Sequence, residues 1–146
     1  MKKLLFIILS IALFSCSNSD ECGCTSISRN LDIAIKDKDG NNLLNTSGYN
    51  FSTIQIKYSM PNSSNLVNGE SPIFIDEGQP RIRVFLNSNK KEDFPTTYLI
   101  WSNNDIDTIH ALYNRDNNAT ILNKIWYNGN LIQEFIQPEY YINVVK

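Results

Sequence analysis

Alanine is scarce in this chain, histidine occurs once, cysteine three times, and no basic block occurs anywhere. Each shortage excludes something. Few alanines among many β-branched and aromatic residues disfavour helices. A lone His110 cannot assemble a histidine-rich metal centre, and no metal or other cofactor is expected. No Gly-x-Ser-x-Gly elbow accompanies it, so a hydrolase triad lacks its nucleophile and orienting acid. Lys and Arg number 13 against 15 Asp and Glu, a formal net charge of −2, which argues against a nucleic-acid partner and against a polybasic membrane patch. The longest apolar run, Leu4 to Phe14, is broken only by Ser10 and is about 11 residues long, whereas a spanning helix needs roughly 20.

That run has another use. Lys2 and Lys3 precede it and small residues close it, the layout of a secretory signal. Its end, Leu13-Phe14-Ser15-Cys16, resembles the lipobox of bacterial lipoproteins: Leu, any residue, a small residue, Cys. The resemblance implies removal of residues 1–15 and lipid attachment at Cys16, whose thiolate takes the diacylglyceryl group. A mature lipoprotein of this kind carries three acyl chains, and two or more anchor stably. Ser17 is not an acidic retention signal, which points to the outer membrane. Asn18, Ser19, Asp20 and Glu21 resemble the short acidic export tags of surface lipoproteins in Bacteroidetes-type bacteria.

Residues 16–29 read as a flexible polar tether. Cys22-Gly23-Cys24 falls within it. In an oxidising compartment these thiols pair as a small strained ring, or stay unpaired, or serve a redox purpose. Residues 30–146 read as one domain, large enough to bury a core.

Within that domain the apolar period is two, and no 3.6-residue period is convincing. Leu31, Ile33 and Ile35 alternate with polar residues. Asp37-Lys38-Asp39-Gly40 follows. It resembles the start of a calcium loop, but position twelve is Gly48 and not the bidentate Glu that loop needs, so a turn is expected. Thr53 to Tyr58 alternates next. Met60 to Asn68 reads as a loop, Ile73 to Ile75 as an edge strand behind Pro72, and Arg81 to Leu86 as a strand. Asn87 to Pro95 reads as a polar loop. From Thr96 onward strands end at short turns, including Asn128-Gly129, the strongest hairpin signal in the chain. These strands should pair in order as an antiparallel meander, closing with Tyr140 to Val145.

Around nine short strands with regular turns predict an all-β fold, an antiparallel β-sandwich in preference to a small barrel. The first strand with its Asp-Gly turn resembles the opening of prealbumin-like and immunoglobulin-like modules.

Candidate chemistry is sparse. His110 shares a strand face with Ile106, Thr108 and Leu112 and reads as an ordinary strand histidine. Asp105 and Asp107 lie two apart on one face, as paired glycosidase carboxylates would, but no catalytic residue is assigned. Asp107-Thr108-Ile109 resembles the acceptor triplet for O-linked glycans in Bacteroidetes-type export. Aromatic residues crowd the C-terminal meander. Trp101, Trp126 and Tyr127 are the candidates for stacking on a ligand, with a place in the core as the competing assignment. Alternation puts Trp101 with Leu99, and Trp126 with Leu122 and Lys124.

The chain as a whole resembles small uncharacterised outer-membrane lipoproteins of Bacteroidetes-type bacteria. The expected function is a non-catalytic binding or accessory module held at the membrane by lipid, with a glycan or another envelope protein as partner. The alternative is an inhibitor or immunity-type lipoprotein that blocks a hydrolase or toxin, which a protruding ordered loop at Met60–Asn68 or Ser88–Pro95 would favour.

Overall fold

The structure is a computed structural model and describes residues 26–46, 48–134 and 140–146. The expected signal (residues 1–15), the expected lipid-attachment residue Cys16, and Cys22 and Cys24 lie outside the described residues. Eleven strands and no helix are present among the described residues. One sheet has the order β1-β9-β8-β7-β3-β4, with β10 sharing the outer edge of β9. Its strands are β1 (Ser26–Ser28), β3 (Gln55–Met60), β4 (Ser63–Asn68), β7 (Thr96–Ser102), β8 (Asp105–Arg115), β9 (Ala119–Tyr127) and β10 (Asn130–Glu134). The other sheet, β11-β2-β6-β5, contains β2 (Asn30–Lys36), β5 (Ile73–Ile75), β6 (Arg81–Phe85) and β11 (Tyr141–Val145).

Period-two alternation builds both sheets. Leu31, Ile33 and Ile35 of β2 meet Ile82 and Val84 of β6 and Ile142 and Val144 of β11. The first sheet contributes Ile56, Leu99, Trp101, Ile109, Ala111, Tyr113, Leu122, Ile125 and Tyr127 to the same core. Each fully buried Leu or Ile is worth about 1.5–3 kcal/mol, so this core is the main stabilising term.

The expected turns form for the expected reasons. Asp37 Oδ1 accepts from the Asp39 and Asn41 amides at 2.9 and 2.8 Å, and Gly40 takes φ +86°. Asn128 and Gly129 sit at φ +48° and +81°, both central residues left-handed, as the tight hairpin twist requires. β7, β8, β9 and β10 pair antiparallel in sequence order.

The structure departs from the sequence reading in four places. Met60–Asn68 is not a loop: β4 pairs antiparallel with β3 around Asn62, which takes φ +58°. All six β4 residues are exposed, so no buried face left an apolar period to read. Ser26–Ser28, assigned to the tether, pairs parallel with Ala119–Ile121 through backbone bonds that need no side-chain pattern. β11 leaves the meander and pairs parallel with β2, so the expected wholly antiparallel arrangement is mixed in both sheets. Lastly, β9 bulges where Leu112 opposes Lys124 but Tyr113 opposes Leu122, leaving Asn123 as the extra residue. A bulge reverses side-chain parity beyond it. Leu122 therefore points inward while Lys124 and Trp126 point outward.

Candidate functional site

The three aromatic residues nominated for stacking part company. Trp101 and Tyr127 are buried in the core at 6% and 7% exposure, so neither can stack on a ligand. Trp126 alone stands on the outer face, opposite His110 on β8 and Leu131 on β10. Phe94, 52% exposed, meets it edge-on at 5.5 Å between ring centres. The loop carrying Phe94 is held from several sides. Asn87 Nδ2 donates to the Ser59 and Thr96 carbonyls at 3.0 and 3.3 Å, and Arg115 donates to the Glu92 and Asn89 carbonyls at 3.1 Å each. Tyr113 adds a hydroxyl bond to the Asn87 carbonyl at 3.0 Å, and burial raises its phenol ionisation far above the ordinary range.

His110 lies on that same face, as alternation implies. Its Nδ1 is 2.9 Å from Thr96 Oγ1, and Thr96 is itself buried. No carboxylate hydrogen-bonds this imidazole among the described residues, whereas a triad orients its imidazole with one. Thr108 of the glycan-acceptor triplet also lies mid-strand. Asp107 and Ile109 beside it are buried, and its amide donates to Asn128 Oδ1 at 2.8 Å.

Asp105 and Asp107 do share a face, but Lys146 Nζ lies between them, 2.7 Å from each carboxylate. Asp107 is 2% exposed and also accepts from Trp101 Nε1 and Asn128 Nδ2, each at 2.8 Å. Burial opposes its ionisation, yet the bonds from Lys146, Asn128 and Trp101 outweigh burial and hold its carboxyl below the ordinary range. Tyr127 brings its buried hydroxyl beside the same carboxylate without reaching normal hydrogen-bond geometry. Burial and the neighbouring Asp107 raise that phenol sharply. Tyr49 completes the cluster, edge-on to Trp101 at 5.3 Å and 5.7 Å from Lys146 Nζ. This is a polar clamp that ties Trp101 of β7 and Asp105 and Asp107 of β8 to Lys146, which follows β11.

A cavity lies elsewhere, on the outer face of the β11-β2-β6-β5 sheet. A groove of about 460 Å³ is lined by Asn30, Asp32, Gln79, Arg81, Arg83, Tyr140 and Tyr141. Register creates it. Asp32 on β2 sits opposite Arg83 on β6 and Tyr141 on β11, so three outward side chains form one row. Arg83 grips Asp32 with two prongs, Nε to Oδ1 at 2.7 Å and Nη2 to Oδ2 at 2.9 Å. That grip, which exceeds the cost of partial burial, raises the guanidinium's ionisation further. Arg81 reaches the same carboxylate with Nε at 3.3 Å, donates Nη2 to Glu77 at 2.8 Å, and stands 6.0 Å from the Tyr141 ring centre.

Sequence reasoning gave Arg81 to Leu86 as a strand and went no further. The Arg-x-Arg spacing was the available signal. Its meaning depends on Asp32, about fifty residues away in sequence, and so on a register that local pattern does not reveal. Among the described residues, no three His, Cys, Asp or Glu side chains cluster as metal ligands.

Comparison with protein-family models, with curated proteins and with solved structures finds no match for this chain.

Proposed function

We propose that this protein is a lipid-anchored, non-catalytic binding module of the bacterial outer membrane, a β-sandwich of two mixed sheets that holds a glycan in the groove over Asp32. The anchor rests on the lipobox at Cys16, and residues 16–25 serve as the spacer. The observation that carries the binding assignment is the groove itself. It combines guanidinium groups fixed by a buried carboxylate, two amides and two tyrosine rings in a volume typical of small-molecule sites. Planar, pre-oriented donors suit vicinal hydroxyls, and a tyrosine ring suits the apolar face of a sugar. The non-catalytic assignment is supported by the state of the acids and the imidazole: Asp107 is tied to Lys146, and His110 faces a buried threonine.

Two experiments test this reading. Cys16→Ala should abolish fatty-acid labelling and release the protein from membranes, and persistence of labelling would refute the anchor. Detergent-solubilised full-length protein should bind members of an oligosaccharide panel, and Tyr141→Ala should weaken that binding at least tenfold.

A second reading has its own observation. Phe94, exposed on a loop held by Asn87 and Arg115, meets the half-buried Trp126 of β9 edge-on, the kind of ordered projection that an inhibitor or immunity-type lipoprotein presents to a hydrolase or toxin. Loss of partner binding in Trp126→Ala, with Tyr141→Ala unaffected, would favour it.

A further inference from the structure

We infer that the groove selects a sugar bearing a carboxylate, a uronic acid, and that Glu77 occupies the place on Arg81 which the ligand's carboxylate takes. The inference rests on the groove being the ligand site.

Charge bookkeeping inside the groove leads to this. Among the described residues, two guanidinium groups face a single wall carboxylate, Asp32, whose side chain is only 12% exposed. Asp32 is gripped at both oxygens by Arg83 and approached by Arg81, so it cannot leave without stranding two cations. Glu77 differs. It is not a wall of the groove, its side chain is 72% exposed, and one contact ties it to Arg81. An exposed pair of this kind is worth little, so an arriving carboxylate displaces it at small cost. Counting the described residues, the groove without Glu77 carries one excess positive charge beside Tyr141, with the Asn30 and Gln79 amides nearby. A carboxylate on Arg81 answers the charge, and a pyranose ring answers the tyrosine and the amides. A bare acidic peptide answers the charge alone.

The test is calorimetric titration of detergent-solubilised full-length protein with trigalacturonate and with its methyl ester, which keeps the sugar and removes the charge. The acid should bind at least tenfold tighter than the ester, because the ester loses a charge-assisted hydrogen bond to Arg81. Glu77→Gln should tighten acid binding about two- to fivefold by removing the competing carboxylate, and it leaves the ester unchanged. Arg81→Gln should erase the preference for the acid. Because Glu77 is a surface side chain, its substitution leaves folding intact and keeps the inference testable should Arg81→Gln unfold the domain. Equal binding of acid and ester, both weakened by Tyr141→Ala, would overturn the carboxylate inference and leave the groove as a sugar site. Weaker acid binding in Glu77→Gln would overturn it too, since Glu77 would then hold ligand instead of yielding to it. Tighter binding of a tri-aspartate peptide than of trigalacturonate would overturn the sugar. Binding of neither sugar would remove the groove reading along with the inference.

Discussion

Replacing Lys146 by methionine puts the Asp107 clamp to a quantitative test. The side chain keeps most of its length and its apolar stem, and the change removes one charge. Asp107 then sits 2% exposed, with Asp105 nearby and no ion-pair partner among the described residues. Breaking a buried pair by removing one partner costs about 3–5 kcal/mol. Trp101 Nε1 and Asn128 Nδ2 still donate to the carboxylate, which places the expected loss at the lower end, about 3 kcal/mol. With a urea m-value of about 2 kcal/mol/M for a domain of this size, the unfolding midpoint should fall by about 1.5 M at pH 7. Asp107→Asn in the same chain should recover most of it, because the amide carries no charge to strand. The sign of the pH dependence follows from the folded state. In the native chain Asp107 is held below its ordinary 3.8, so its stabilisation is complete above that value and fades as pH falls through the lowered one. Without Lys146, burial prevails and the carboxyl protonates at higher pH, so the gap between variant and native chain should narrow on acidification. Lys146 itself is held above its ordinary 10.5: burial opposes its charge, but Asp105 and Asp107 prevail. Its contribution should therefore persist to that pH and be lost as pH climbs through the raised value. A midpoint shift below about 0.2 M for Lys146→Met at pH 7 would refute a charged, clamped Asp107.

Two further changes address the frame around the sites. Gly69→Ala would place a Cβ 2.6 Å from Ile56 Cγ2 and 2.8 Å from the Tyr58 ring, so it should destabilise the domain by about 1–3 kcal/mol in thermal unfolding, as overpacking does. Asn128→Ala removes the bonds to Asp107 and to the Thr108 amide and puts a Cβ-bearing residue with no polar side chain at φ +48°, so a loss of about 2 kcal/mol is expected in urea unfolding; Asn128→Gly should cost less, because glycine accepts that φ freely.

Much of this fold is legible in the sequence wherever one face of a strand meets the core. Leu31, Ile33 and Ile35, or Ile82, Val84 and Leu86, announce their burial by alternation, and Asn128-Gly129 announces its turn by chemistry. Legibility ends where neither face is buried, as in the exposed strand Ser63–Asn68, because a polar strand and a polar loop have the same composition. It ends again at the bulge. One extra residue, Asn123, turns Trp126 from the Leu122 side to the solvent side, and nothing about Asn123 marks it as the extra one. The groove was hidden for a third reason. Tyr141, Asp32 and Arg83 come from three distant segments, and only the parallel pairing of β11 and the antiparallel pairing of β6 with β2 bring them into one row.

Two aspartates in this chain are each surrounded by cations or donors, yet they point to opposite roles, and the difference lies in which donors remain unspent. Around Asp107 the amide, indole and ammonium donors are spent, and the Tyr127 hydroxyl that is not lies buried beside it. Trp101 has one N–H and spends it there, the Asn128 amide is directed at it, and Lys146 is shared with Asp105. A ligand would have to displace one of these and leave a buried charge short of a partner. Around Asp32 the accounting stays open. A guanidinium carries five N–H groups in a rigid fork. Arg83 spends its Nε and one Nη2 hydrogen on Asp32, and Arg81 spends an Nη2 hydrogen on the exposed Glu77. No bond from either Nη1 is present among the described residues, and both guanidinium groups line the groove beside the carboxylate. Asp32 therefore supplies rigidity and the arginines supply capacity, which is the division of labour that recognition of an external anion requires.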